Sequence, residues 1–184
     1  MSQHFSLPDV LPVPADDGGS DHLLGLQLPD LALASTQGGE IRLSDLKGLT
    51  VLYCYPMTGR PDVALPDGWD QIPGARGCTP QSCAFRDHHA ELAALNTKVY
   101  GISTQSSTYQ QEAVERLHLP FSLLSDERLA LLTALKLPSM DVEGKTLIKR
   151  TTLICRGTEI INVFYPVFPP DQNAEQVIAW LQAA

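Results

Sequence analysis

The chain has 184 residues, 43% hydrophobic and 18% charged, a length and balance that suit a folded domain with a substantial core. A formal net charge of −8 with no run of Lys or Arg excludes a nucleic-acid backbone as the expected partner. No apolar run is long enough to span a bilayer, and the opening MSQHFSLPDVLPVPADDGGSD lacks the cationic start and apolar stretch of a secretory signal. One domain over 1–184 is expected, cytoplasmic and, without an obvious apolar stripe, a monomer.

Residues 1–22, with three prolines and an Asp-Asp-Gly-Gly turn, read as an extended lead-in. Residues 28–34 and 40–43 flank Gly38-Gly39 like the arms of a hairpin, and 44–48 suggest one helical turn. The apolar run Leu49–Tyr55 predicts a buried strand, ended by Pro56. Residues 57–77 hold three prolines and four glycines and predict a long loop. A helix is expected from about Pro80 to Leu95, with Thr79 as its cap and Pro80 in the first turn. A second buried strand follows at 99–103. The next helix spans 107–118, opened by a Ser107–Gln110 capping box. Residues 120–124 are short and extended, and leucine spacing predicts a helix over 127–135. Strands at 149–155 and 159–165, joined by Arg156-Gly-Thr158, predict an antiparallel hairpin. Asn173 would cap a last helix through Leu181. This order predicts an α/β fold with a mixed central sheet covered by helices on both faces.

The four cysteines fall into two kinds. Cys54 and Cys155 sit inside apolar strand runs and read as small core hydrophobes. Cys78 and Cys83, flanked by Gly, Arg, Thr, Gln and Ser, lie at an element boundary near solvent. At the mouth of a helix, unpaired N–H groups and the dipole favour a thiolate on Cys78, and Arg76 or Arg86 would add positive charge. A thiolate is the reactive form of cysteine, so the pattern points to thiol redox chemistry. If Cys78 takes an oxygen from a peroxide, a nearby thiol can condense with the sulfenic acid, and Cys83 is the obvious candidate. Five residues along an intact helix give about 7.5 Å of rise and about 140° of turn, which no disulfide can bridge. A resolving Cys83 therefore requires the first turns of the helix to unwind.

The blocks YCYP (53–56), GCTPQSCAFRD (77–87), GIS (101–103), LPFSLLSD (119–126) and RTTLI (150–154) together resemble peroxiredoxins. The likeness, over roughly 25–165, is greatest to the bacterioferritin-comigratory or Q-type subfamily. The resemblance implies a thioredoxin-like fold and a thiol peroxidase acting on hydrogen peroxide and organic hydroperoxides. It implies Cys78 as the peroxidatic cysteine and Cys83 as the resolving one. It also implies that Arg150 hydrogen-bonds to the thiolate and peroxide, and that a thioredoxin- or glutaredoxin-like donor recycles the enzyme. The chain departs from the family in one place. The family's threonine three residues before the nucleophile is replaced by Ala75, and an insertion of about fifteen residues, roughly 60–74, separates Pro56 from Cys78. Thr58, just beyond Pro56, is the candidate to supply the missing hydroxyl. Thr79 is the other, although a cap is its preferred reading. Trp69 and Asp70 in the insertion would shape a substrate pocket or a partner surface.

Competing readings are few. His88 and His89 are adjacent, so they point to different helix faces and do not make a zinc pair with the cysteines; no metal and no cofactor is expected. Arg86 and Asp87 read as a local ion pair. Ser103 lacks a nucleophile elbow, and no glycine loop would cradle a phosphate. The alternative function is a redox-sensing or binding module on the same fold with little turnover. A one-cysteine enzyme, with Cys83 merely facing the core, is the alternative mechanism.

Overall fold

The computed structural model describes residues 7–184, so residues 1–6 of the lead-in lie outside the described residues. In chain order the elements are β1 (Ala32–Ser35), β2 (Glu40–Arg42), β3 (Leu49–Cys54), α1 (Cys78–Asp87), α2 (His89–Ala94), β4 (Thr97–Ser103) and α3 (Ser107–Leu117). They continue with β5 (Leu123–Ser125), α4 (Ala130–Leu135), β6 (Ser139–Val142), β7 (Lys145–Ile148), β8 (Thr151–Arg156), β9 (Glu159–Phe164) and α5 (Asn173–Ala183).

Seven strands form one sheet in the order β2-β1-β5-β4-β3-β8-β9. The centre is parallel, β3 with β4 and β4 with β5, and the flanking pairs are antiparallel. The sheet is mixed, as expected. Because strand side chains alternate, β3 feeds two cores. Val51 and Tyr53 face a cluster built with Phe85, Leu92, Leu117 and Val177 from the helices α1, α2, α3 and α5. Leu52 and Cys54 face the other side, with Leu131 and Leu135 of α4 and Leu23 and Leu28. Both faces are covered, which is why this strand reads as an apolar run broken only at Thr50.

Several boundaries differ from expectation. The helix expected over 80–95 is two. At His88 the backbone leaves helical geometry (φ −99, ψ 9), so α1 can pack on α5 while α2 lies along β4. The helix α1 starts at Cys78, and Gly77 (φ 118) takes the place expected of Thr79, with the Gln81 N–H donating to the Gly77 carbonyl at 3.0 Å. Only glycine suits Gly77, because its φ is positive and a Cβ there would collide with Pro170. Ser106 rather than Ser107 caps α3, accepting from the Tyr109 N–H at 3.2 Å. The helix α4 is shorter than its leucines suggest, and the Asp126 carboxylate meets its Leu131 and Leu132 N–H groups at 2.9 Å each. Asn173 begins α5 instead of capping it and turns its side chain inward. The hairpin β6–β7 was not expected at all.

Gly101 has a packing role. A Cβ there would lie 2.6 Å from the Tyr53 ring and 2.6 Å from Leu123. The bare glycine lets the Tyr53 ring lie across β4, stack on Phe85 at 4.6 Å between centroids and hydrogen-bond Ser82 at 3.0 Å. The lead-in is anchored too. Asp17 accepts from Tyr165 at 2.7 Å and Lys149 at 3.0 Å, and those bonds hold its carboxyl well below the usual carboxylate range. Gly101→Ala is therefore expected to lower unfolding free energy by about 1–3 kcal/mol, the usual cost of overpacking, measured by urea titration. An unchanged midpoint would show that Tyr53 is not seated by the glycine.

Candidate active site

Cys78 is the first residue of α1, and Arg150 stands directly before β8 on the strand next to β3. The antiparallel pairing of β8 with β3, Cys54 opposite Thr151, sets the start of β8 beside the end of β3 and so brings residues 72 positions apart to one sheet edge. Arg150 Nη2 lies 3.3 Å from Cys78 Sγ. Both residues are 3% exposed. Cys78 is therefore more enclosed than its polar sequence neighbours suggest, because the loop before it folds over the sulfur.

The guanidinium is fixed on several sides. Its Nη2 also donates to the carbonyls of Gly74, Ala75 and Arg76 at 3.2, 3.0 and 3.3 Å. Its Nη1 donates to Gln81 Oε1 at 2.6 Å. Gln81 Nε2 in turn donates to Asn173 Oδ1 at 3.1 Å, and Thr152 Oγ1 donates to the same oxygen at 2.8 Å. A buried chain of polar groups therefore runs from α5 through Gln81 to the arginine. Gln81 and Asn173 escaped sequence reasoning; the faint signal for Gln81 is its position one turn after Cys78, on the same helix face.

The other expected residues are less uniformly placed. Pro56 is buried where the chain leaves β3. Thr58 is fully buried, with its hydroxyl donating to Gln105 Oε1 at 3.3 Å, and Cys78's hydrogen-bond partners among the described residues are Arg150 and the Ala75 carbonyl. Thr58 thus faces Gln105 rather than the sulfur. Thr79, released from capping, lines the cavity with Cys78. Arg76 pairs with Asp70 at 2.9 Å, while Arg86 pairs with Asp87 at 2.9 Å and donates to the Leu117 carbonyl. His88 meets Glu91 at 2.8 Å. No group of three or more His, Cys, Asp or Glu among the described residues is gathered as metal ligands would be.

The insertion roofs the site. Trp69, 4% exposed, packs with Leu147, Met140 and Val142 of the β6–β7 hairpin, so the unexpected hairpin and the insertion brace each other. Between this roof and Cys78 lies a cavity of about 340 Å³.

The cysteines separate by environment. Cys83 on α1 is half-buried and packs beside the cluster that holds Cys78. Burial pushes its thiol up, with Arg86 pulling the other way. Cys54 and Cys155 belong to the core on the opposite face of the sheet. Burial pushes Cys155 up to about 12 and Cys54 strongly upward. Such shifts make the fold sensitive to alkali. Above the ordinary value of 9.0 the unfolded thiols lose protons that the folded ones keep, so the unfolded state is favoured as pH rises. Stability should fall between pH 9 and about 12, by at most about 1.4 kcal/mol per pH unit for each buried thiol. Cys155→Ala should make that fall shallower in urea titrations at increasing pH; an unchanged slope would assign the effect elsewhere.

A family model described as Redoxin matches residues 23–178. The chain is 31% identical over 157 residues to peroxiredoxin Q from the chloroplast of Sedum lineare, covering 84% of this chain and 75% of that one. It is 36% identical over 105 residues to peroxiredoxin Bcp of Bacillus subtilis, covering 56% of this chain and 57% of the relative. Among solved structures it is similar to the peroxidoxin BcpB of Mycobacterium tuberculosis, with a TM-score of 0.71 and 27% identity over 87% of this chain and 96% of that one.

Proposed function

From a chain that belongs to the redoxin family, among peroxiredoxins of the Q/Bcp type, we propose a thiol peroxidase that acts through Cys78 and Arg150. The observation that carries the reading is the 3.3 Å contact between Cys78 Sγ and a buried guanidinium, at the first residue of a helix and at the floor of a cavity. The peroxide is the substrate. The thiolate of Cys78 attacks the outer oxygen of the hydroperoxide, so an S–O bond forms as the O–O bond breaks. The leaving oxygen takes a proton and departs as water or an alcohol, and Cys78 is left as the sulfenic acid. Arg150 is held by the loop carbonyls and Gln81 before substrate arrives, and it stabilises negative charge first on sulfur and then on the departing oxygen. Thr79, which lines the cavity with Cys78, is in this reading the hydroxyl that orients the peroxide, the role for which the sequence offered Thr58 first.

Cys83 is the resolving thiol in this reading. Its support is exclusion by place: Cys54 and Cys155 lie across the sheet, while Cys83 shares α1 and the same face with Cys78. Its thiolate attacks Cys78 sulfur, the S–S bond forms, and the hydroxyl leaves as water with the proton Cys83 gives up. Intact, α1 keeps the two sulfurs apart, so its first turns must unwind, which also takes Cys83 out of the burial that holds it protonated. A thioredoxin- or glutaredoxin-like dithiol then reduces the disulfide, itself becoming oxidised.

Cys78→Ser should abolish peroxide consumption in a coupled thiol assay, and retained turnover would refute the assignment. Arg150→Met should slow it by about 10²–10³-fold. After one equivalent of peroxide, Cys83→Ser should carry one added oxygen by intact mass and no internal disulfide. An internal disulfide in that variant would move resolution to another cysteine. Single-turnover oxidation without recycling by any dithiol would favour the sensor reading.

A further inference from the structure

We propose that the cavity above Cys78 selects a hydroperoxide whose own carbon skeleton bears a carboxylate; this rests on the reading of Cys78 as the sulfur that attacks peroxide oxygen. The cavity holds about 340 Å³, more than tenfold the roughly 30 Å³ that a water molecule takes up and within the usual range of pockets for organic ligands. Hydrogen peroxide leaves most of it unfilled. Part of its wall is apolar, from Pro61, Leu65 and Trp69, which suits a hydrocarbon or aryl body.

The charged part of the wall has one sign. Arg60, Arg76 and Arg116 line the cavity, and no carboxylate does. The chain has 13 Lys and Arg against 21 Asp and Glu, so three guanidinium groups around one cavity oppose the charge of the whole. Each arginine has an acidic partner that is not part of the wall: Asp62 for Arg60, Asp70 for Arg76 and Glu112 for Arg116. Those pairs orient the side chains without consuming them. Arg60 uses only its Nε and Arg76 only its Nη1 in hydrogen bonds among the described residues, so each keeps donors for a second carboxylate. Arg116 is pinned further by the Gly59 carbonyl at 2.9 Å. An arginine fork matches a carboxylate in two parallel bonds, and in a partly enclosed cavity that match is screened less than on an open surface.

The origin of the wall matters. Arg60, Pro61, Leu65 and Trp69 all belong to the insertion or its edge, and Trp69 is locked against the β6–β7 hairpin. The insertion is thus a specificity element, with the acid group of the substrate held at the arginine wall and its peroxide end directed to the sulfur on the floor. The chemistry is the same O–O cleavage, and the product is the corresponding hydroxy acid.

The test compares 4-carboxycumene hydroperoxide with its methyl ester and with hydrogen peroxide, as second-order rate constants for oxidation of the reduced protein in one turnover. The free acid should react at least about tenfold faster than the ester at low salt, the worth of a charge-assisted contact. The ratio should shrink as ionic strength rises. In Arg60→Gln/Arg76→Gln it should approach one. Arg60→Glu alone, at an exposed edge of the wall, should bring it below one. An acid no faster than its ester in the natural protein, or a ratio that survives both sets of variants, overturns the proposal. Oxidation of Cys78 by none of the three peroxides would instead remove the peroxidase reading beneath it.

Discussion

A single buried guanidinium organises the sheet edge. Arg150 is a permanent cation with 3% exposure, and a charge so enclosed must be met by oriented dipoles or an opposite charge. Four of its contacts are neutral oxygens, three loop carbonyls and the Gln81 amide. Among its hydrogen-bond partners in the described residues, only the Cys78 sulfur can bring a full negative charge to it. The loop before α1 is wrapped around the same group, so fixing the arginine also fixes the backbone that presents the sulfur. Removing Gln81's amide would leave an unpaired donor on Arg150 and take from Asn173 Oδ1 one of its two hydrogen bonds, keeping only that from Thr152, which is how a residue that touches no substrate enters the geometry of the site.

The same bonds set the difficulty of the resolving step proposed for Cys83. Unwinding α1 far enough to bring Cys83 to Cys78 gives up Gln81's links to Arg150 and Asn173 and the Tyr53–Ser82 contact. At about 1 kcal/mol net for each neutral hydrogen bond, and more for the charged one, the folded form of this segment is favoured while Cys78 is reduced. Phe85, stacked on Tyr53 two residues beyond Cys83, gives the second half of the helix an anchor independent of that network. The cost therefore falls on the first turns. Gly77 shapes the transition as well, since its left-handed conformation beneath Pro170 ends the loop abruptly and leaves only the helix to move.

What could be read from the residues follows the strength of local signals. The central strands were legible because a strand buried on both faces must be largely apolar, and β3 is apolar at every position but Thr50. The sulfur and Arg150 were legible through motif blocks. The start of α1 was not, since Thr-Pro after a cysteine looks like a cap, whereas the glycine before it adopts the one backbone conformation that threonine resists. The β6–β7 hairpin was missed because Ser139–Val142 and Lys145–Thr146 are short and half-exposed, and their partner, Trp69, is some seventy residues away in sequence. Asn173 and Gln81 carry the same lesson. Gln81 looks like an ordinary helix residue and Asn173 like a cap until tertiary packing brings the two together.

The insertion shows why such a departure is tolerated at a place so close to the nucleophile. Loop closure grows only with the logarithm of length, so lengthening a short loop by about fifteen residues costs about 1 kcal/mol. Burying Trp69 against Leu147, Met140 and Val142 works against that cost and against the entropy of ordering the segment. The roof thus has a small core of its own, joined through Ala75 to the loop whose carbonyls hold Arg150. The floor of the site answers to the chemistry of sulfur and oxygen, while the side chains that the roof turns to the cavity, Arg60, Pro61 and Leu65, lie outside both that small core and the bonds to Arg150. Of the three arginines around the proposed acid subsite, Arg60 stands on the insertion while Arg76 lies in the loop after it and Arg116 on α3, so a change at Arg60 can alter which peroxide is favoured without touching the groups that would break its oxygen bond.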